Sequence, residues 1–124
     1  MTYYTKEHEW ITLTDGKLAR VGITDHAQDQ LGDIVFIDFT ADLADIDAEE
    51  EVLTVESVKS VSDVYAPVAG KVVAFNDALD DSPELVNESP TDEGWMFEIE
   101  VNDPADLEKL MNLEQYEAFL EEEE

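Results

Sequence analysis

Cysteine is absent from the chain. Its absence excludes a disulfide framework, a thiol nucleophile and any zinc or iron–sulfur centre held by thiolates. Positive charge is nearly as scarce: six lysines and arginines stand against thirty-three aspartates and glutamates, for a formal net charge of −27. Nucleic-acid binding needs a basic footprint, and an anionic lipid surface would repel such a chain, so neither nucleic acid nor membrane is expected as a partner. No apolar run approaches the ~18–20 residues that span a bilayer. The opening MTYYTKEHEW has neither a basic start nor an apolar stretch, so a signal peptide is not expected and a cytoplasmic location is. The phosphate-cradling G-x-x-x-x-G-K-[ST], the G-x-S-x-G nucleophile elbow and the zinc-binding H-E-x-x-H are all missing.

What is present argues for a folded protein. Hydrophobic residues make up 44% of the chain, too many for an acidic disordered tail. A length of 124 residues fits one domain, 1–124, able to bury roughly two-thirds of its unfolded surface. The acids are spread along the whole length, so an apolar core beneath an acidic shell is expected. Such a shell repels itself in dilute solution and is screened by salt, which points to a halophilic protein in a salty cytoplasm. Ordinary solubility is the milder alternative.

Residues 8–23, HEWITLTDGKLARVGI, alternate around Asp15-Gly16, a pair that favours a hairpin turn. Trp10, Leu13, Leu18, Val21 and Ile23 are the expected core residues there. Thr24 can cap a short helix, with Asp25 in its first turn and Gly32 ending it. IVFIDF, 34–39, reads as a strand with a well-buried centre, and 40–51, TADLADIDAEEE, as an acidic connection of undetermined state. The runs 52–58 and 61–65 read as strands joined through Lys59, the second ended by Pro67. Ala69-Gly70 turns the chain into KVVAFN, another strand, followed by a loop with one helical turn over 77–81. In GWMFEIEV, 94–101, Trp95, Phe97, Ile99 and Val101 alternate on one face of a closing strand.

The period then changes. Asp103-Pro104 opens a helical tail, 103–121, packed on the β core. Leu107, Leu110 and Met111 recur at helical spacing, as do Leu113, Tyr116, Phe119 and Leu120; the last four glutamates are expected to fray. ARVGITDHAQD and GKVVAFNDALDD resemble one another, as two similar strand sets of a β-sandwich with a projecting hairpin would. The sum is a mostly antiparallel β domain with helices at its edge.

Lys59 is one of the few cations, yet it sits at the apex of a valine-rich hairpin. Neither apex residue is the glycine or asparagine that a tight turn prefers, so a looser turn is expected. Ser57 and Ser60 are small and leave the amine accessible, while Glu56 and Asp63 nearby favour its protonated form. A Schiff-base lysine wants desolvation, and a phosphate-gripping one wants a glycine-rich loop. Covalent modification, which needs exposure and rigidity, fits better; a solubilising lysine on a turn fits equally by placement alone.

The segment VESVKSVSDVYAPVAGKVV closely resembles the lipoyl-attachment hairpin of the glycine cleavage system H protein family. TKEHEW at 5–10, VGITDHAQDQLGDIVF at 21–36, NDALDDSPELVNESP at 76–90 and GWMFEI at 94–99 resemble the same family in the same order. Biotinyl domains carry methionine on both sides of their lysine, where this chain has Val58 and Ser60, and the lipoyl domains of 2-oxoacid dehydrogenases often read TDKA. The departure from the family is at 40–51, where a glycine-containing turn is expected.

The resemblance implies a lipoyl/biotinyl-type β-sandwich (barrel-sandwich hybrid) with short peripheral helices and a C-terminal helical segment. It implies lipoate amide-linked to Nζ of Lys59, with Glu56, Ser57, Val58, Ser60 and Asp63 shaping recognition and the turn. The implied partners are glycine decarboxylase with its pyridoxal phosphate, a tetrahydrofolate-dependent aminomethyltransferase, dihydrolipoamide dehydrogenase and a lipoate-attaching enzyme. The chain would then be a carrier and not an enzyme. Two alternatives remain: a lipoyl relay donating lipoate to other enzymes, and an unmodified acidic binding module.

Other constellations are weaker. His8 and His26, even with Glu7, Glu9, Asp25 and Asp29, make a poor metal set, and His8 and Trp10 more simply close one end of the core. Asp33, Asp38, Glu56 and Asp63 could pair as acid and base, but among so many acids chance proximity explains most pairs. Asn87-Glu88-Ser89 fits a glycosylation triplet without a secretory context. Tyr116, Phe119 and Leu120 could form a docking face, though packing on the core is the commoner outcome.

Overall fold

The computed structural model describes residues 2–123. Its elements are strands β1 (Thr2–Tyr4), β2 (Glu9–Asp15) and β3 (Leu18–Ile23), helix α1 (Asp25–Leu31), strands β4 (Ile34–Phe39), β5 (Asp45–Ile46), β6 (Glu51–Ser57), β7 (Val61–Tyr65) and β8 (Gly70–Phe75), helices α2 (Ala78–Asp81) and α3 (Leu85–Glu88), strand β9 (Phe97–Val101), a 3-10 helix (Pro104–Lys109) and helix α4 (Leu113–Glu123). They form two antiparallel sheets, one ordered β1-β2-β3-β9-β8-β5 and one β4-β6-β7, with no closed barrel among the described residues. This is the expected β-sandwich with peripheral helices and a C-terminal helical segment.

Local chemistry explains most of the elements. Gly16 holds φ +52 in the β2–β3 turn. The Thr24 side chain accepts from the Ala27 amide at the start of α1, and Gly32, at φ +81, ends the helix. Asp103 accepts from the Ala105 amide, and Pro104 opens the 3-10 helix. The two similar segments are indeed each a strand followed by a helix, β3–α1 and β8–α2, and their strands flank β9 in one sheet.

The core lies between the sheets. Ile11, Val21, Phe97, Ile99 and Val72 from the large sheet join Ile37, Leu53, Val55 and Val64 from the small one. Close approach is strict at Gly70, where an added Cβ would lie 2.3 Å from the Glu100 carbonyl oxygen. Of the expected core, Trp10, Val21 and Ile23 are buried, whereas Leu13 and Leu18 are only half-buried because a bulge between Leu13 and Asp15 shifts the register at the hairpin end. Trp10 covers the outer side, its ring over Gly22 and its indole N–H donating to the Pro90 carbonyl at 2.9 Å.

Two further expectations need correction. The centre of 34–39 is not well buried: Ile34 and Ile37 point inward, while Val35 and Phe36 are about half exposed because a bulge lies between Ile34 and Phe36. Trp95 precedes β9 and does not join the inward row of Phe97, Ile99 and Val101; it lies on the surface side beneath Arg20, whose guanidinium sits 4.6 Å from its ring centre. The connection 40–51 resolves into the short strand β5 and a left-handed residue, Glu49 at φ 70, that donates its amide to the Ala66 carbonyl. Glycine would adopt that backbone without penalty; glutamate does so at roughly 1–2 kcal/mol.

The tail docks through its own groups. Tyr4 and Met111 exchange main-chain hydrogen bonds of 2.8 and 3.0 Å, Leu107 is buried, and Tyr116 stacks on Tyr4 with ring centres 4.7 Å apart. Tyr116 is buried, with Phe119 and Leu120 half-buried, so this face packs inward. The helix runs on through Glu123, past the point where fraying is expected, and Glu124 lies outside the described residues. Among the described residues, no helix is long and apolar enough to cross a membrane, and no cluster of three or more histidines and acids is placed to hold a metal.

Acidic side chains find little local neutralisation on this scaffold. The ion pairs between described side chains are Arg20–Glu98 and Lys109–Asp106, both 3.3 Å. Self-repulsion should therefore be relieved by mobile ions. Thermal unfolding in molar salt is expected at a higher temperature than in dilute buffer; an unchanged midpoint would count against a salt-adapted shell.

Candidate functional site

The antiparallel pair β6–β7 runs to a turn over 58–60, and Lys59 is exposed at its tip. The turn has no glycine, and Ser57 replaces that conformational licence with side-chain hydrogen bonding. The Ser57 Oγ accepts from the amides of Lys59 at 3.2 Å and Ser60 at 3.1 Å, while the Ser57 amide donates to the Ser60 carbonyl at 2.8 Å. The expected looser turn is thus present, and its flanking serines act in it through hydrogen bonds as well as through small size.

A second support comes from the loop between α1 and β4. The Val58 amide donates to the Asp33 carbonyl at 3.0 Å. The Lys59 stem lies across Gly32: a Cβ there would meet Lys59 Cε at 3.2 Å and Nζ at 3.7 Å. Gly32 thus serves twice, ending α1 in left-handed backbone and leaving room for the lysine. That loop is in turn clamped by Asn87 of α3. Its Oδ1 accepts from the Ile34 amide at 2.8 Å, and its Nδ2 donates to the Gly32 carbonyl and the Gln28 side chain, both at 2.9 Å. Asn87 therefore sits behind the turn as an internal brace, which gives the apparent glycosylation triplet a structural role.

The acids assigned to the flank are spread out. Glu56 faces outward between Phe36 and Val61 in the small sheet, and Asp38 and Asp63 flank Thr54 in the next row. Asp63 accepts from the Thr54 hydroxyl at 3.4 Å. Lys59 is in neither of the ion pairs formed between described side chains, so the flanking carboxylates leave the amine exposed without a direct clasp.

Beside the hairpin runs a groove of about 450 Å³. Ser60 and Ser62, close to the lysine in the chain, line it together with apolar Val55, Ile23 and Leu31 and the acids Glu9 and Asp63. A larger depression of about 550 Å³ lies on the other side of Glu9, lined by Tyr4, Lys6, Pro67 and Met111 and by none of the apex residues.

Glu9 is the buried carboxylate of this region, only 2% exposed. Its Oε2 accepts from the Tyr65 amide at 2.7 Å and its Oε1 from the Thr5 hydroxyl at 3.2 Å. Burial pushes its pKa up to about 7, with the Glu7 and Glu49 charges adding to the rise and the two hydrogen bonds opposing it. The adjoining His8 holds φ 65; its Nδ1 and the Tyr116 hydroxyl are 2.8 Å apart, and that hydroxyl is 2.8 Å from the Thr24 hydroxyl. His8 also packs against His26, ring centres 4.7 Å apart. The tail thus contacts a groove-lining residue, His8, through Tyr116. Sequence reasoning set Glu9 among many acids; its place between His8 and Trp10 in HEW, two residues before the inward Ile11 and so on the inner side of β2, was the available signal.

Two predictions test this geometry. A carboxyl whose folded pKa lies above its unfolded value binds more protons in the folded state, so stability falls as pH rises from 4.5 through about 7. Glu9→Gln removes that titration, and its stability relative to the parent should rise by about 3 kcal/mol between pH 4 and pH 8. A constant difference from pH 4 to pH 8 in chemical denaturation would refute the assignment. Asn87→Ala leaves the Ile34 amide without its partner and should cost about 1–3 kcal/mol. Hydrogen exchange at Val58 should accelerate while amides in β9 keep their protection; equal loosening of both would mean that Asn87 does not brace the turn specifically.

Comparison with known proteins follows the same outline. The family model described as "Glycine cleavage H-protein" matches residues 2–123. A glycine cleavage system H protein of Oceanobacillus iheyensis is 54% identical over 118 residues, covering 95% of this chain and 93% of that one. The H protein of Thermotoga maritima is 47% identical over 119 residues, covering 96% and 95%. A crystal structure of the H protein from Mycobacterium marinum superposes with a TM-score of 0.85 at 32% identity, over 96% of this chain and 95% of that one. Matched from β1 to the end of α4 in sequence and in fold, this chain belongs to the glycine cleavage H-protein family.

Proposed function

We propose that Lys59 carries lipoate in amide linkage at Nζ, and that residues 1–124 act as one non-catalytic carrier domain of the glycine cleavage system. The observation that carries this reading is an exposed lysine on a turn braced by Ser57, by the Asp33 carbonyl and by Gly32. A tethered group gains from a fixed root, because the tether then sets its effective concentration at each partner. Bound there, lipoate would supply a dithiolane that accepts the aminomethyl group of glycine and is later reoxidised, chemistry for which the cysteine-free chain has no group of its own.

The chain's own residues do the positioning. Ser57 and the Val58 amide hold the turn, and Gly32 supports the lysine stem. The groove from Ser60 and Ser62 toward Glu9 offers apolar walls that exclude water and a carboxyl that an incoming amine would ionise. On this reading the partners are pyridoxal-phosphate-dependent glycine decarboxylase, tetrahydrofolate-dependent aminomethyltransferase, dihydrolipoamide dehydrogenase and a lipoate-attaching enzyme. The membership of the family, and an apolar-walled groove that reaches Ser60 next to the lysine, support the carrier over an unmodified acidic module.

Intact mass after incubation with a lipoate-attaching enzyme should rise by one lipoyl group, mapped to Lys59, and Lys59→Arg should take up none and lose all support of glycine–bicarbonate exchange with glycine decarboxylase. Lipoyl uptake by the arginine variant, or exchange activity retained by it, would overturn the reading. Uptake by the parent without exchange activity would favour the relay.

A further inference from the structure

One wall of the 450 Å³ groove is held from outside by the C-terminal tail. That wall is made by His8, at the corner before β2, and by Ala27, Gln30 and Leu31 of α1. Both parts are bonded to the same hydroxyl. The Tyr116 Oη lies 2.8 Å from His8 Nδ1 and 2.8 Å from the hydroxyl of Thr24, whose oxygen accepts from the Ala27 amide and so caps α1. His8 needs support, because its φ of 65 is left-handed backbone that persists only where surrounding contacts over-determine it. Those contacts include the Thr24 amide donating to the His8 carbonyl at 2.9 Å, the His26 ring at 4.7 Å and the tyrosine hydroxyl. The corner also sets the entry of the next residue, Glu9, which lines the groove. The tyrosine itself arrives on a helix with few other anchors. Among the described residues of α4 only Tyr116 is buried, and Leu113 is exposed. The helix start is fixed by reciprocal bonds between Asn112 and Gln115, and it is aimed by the Tyr4–Met111 main-chain pair and the Tyr4 ring. Phenylalanine would bury nearly the same ring; what the hydroxyl adds is order in the groove wall.

We propose that Tyr116 is a positioning residue for the carrier: by fixing His8 and the cap of α1, its hydroxyl keeps the groove wall closed around the arm from Lys59 and keeps water from the group that the arm bears. The inference rests on the reading of Lys59 as the attachment point and of the groove as the place that receives the loaded end. Helix α1 carries the effect along its length, since Thr24 caps one end and Gly32, under the Lys59 stem, closes the other. The wall matters because an aminomethyl group on sulfur stands at the oxidation level of formaldehyde and is lost to water with no oxidant or reductant. Water gives its oxygen to the carbon, the carbon–sulfur and carbon–nitrogen bonds break, and the two protons of water go to sulfur and nitrogen, leaving a thiol, formaldehyde and ammonia. A wall held shut suppresses this side reaction by excluding the water that drives it. The C-terminal helix, which contributes no residue to the groove lining, thereby determines how long the arm keeps its load.

The test compares the parent with Tyr116→Phe, which keeps the ring against Tyr4 and removes the hydroxyl, and with Leu107→Val, which trims a buried residue of the 3-10 helix that lines neither depression. Each full chain is measured at the same interval below its own melting temperature, so that global stability is matched. In the unmodified chains, hydrogen exchange at the Ala27 and Gln28 amides should quicken about threefold or more in Tyr116→Phe, the low end of what one hydrogen bond contributes, while amides in β9 keep their protection. In the lipoylated chains loaded with the aminomethyl group, formaldehyde release should be faster from Tyr116→Phe by about the same factor, and Leu107→Val should release it at the parent's rate. Unchanged exchange in α1 overturns the proposal, as does equal release from the parent and Tyr116→Phe, or an equal acceleration in Leu107→Val. A parent that loses the group as fast as free aminomethyl dihydrolipoamide overturns the reading of the groove itself, and the role of Tyr116 falls with it.

Discussion

The hydrogen bond from the Val58 amide to the Asp33 carbonyl, with Gly32 lying under the Lys59 stem, joins two segments that are far apart in sequence. A two-stranded hairpin is marginal by itself, and its tip is the part least held by the sheet. This link fastens the tip to the loop at the end of α1, and Asn87 fastens that loop to α3. The exposed lysine is consequently rooted in the body of the protein while its amine stays in solvent. Exposure and fixity usually oppose each other in loops; here they coexist because the fixed atoms are main-chain and the exposed ones are the side chain.

The same economy of contacts shapes the two faces of the small sheet. Inward residues of β6 and β7 complete the core and wall the groove, so they are constrained by packing. Outward residues carry no such constraint, yet apolar side chains collect there near the apex and acids farther back. A bulge in β4 is what brings both Val35 and Phe36 to the surface, by breaking the alternation that would have buried one of them.

Glu9 shows how strongly burial governs a single group in a chain full of acids. Most of its carboxylates sit in water on the shell, whereas Glu9 lies behind Tyr65 and takes two hydrogen bonds that only partly offset its desolvation. Its location between two depressions, with His8 and the Tyr116 hydroxyl alongside, connects the C-terminal helix to the groove.

Much of the fold was legible where the cause is local. The Thr24 cap, the Asp15-Gly16 turn, the Pro67 stop and the Asp103-Pro104 start depend on residues a few positions apart, and each lies where its chemistry predicts. The alternation in 97–101 was read correctly for Phe97, Ile99 and Val101, and it failed at Trp95 because pairing does not extend that far. The hairpin and its exposed lysine were likewise visible, since strand propensity and a break in it are local properties. Tertiary structure alone decided the rest: that Gly32 underlies Lys59, that Asn87 braces Gly32 from more than fifty residues away, and that one glutamate of HEW is buried. Such contacts form between groups that share no sequence period, so no pattern along the chain marks them before the strands have met.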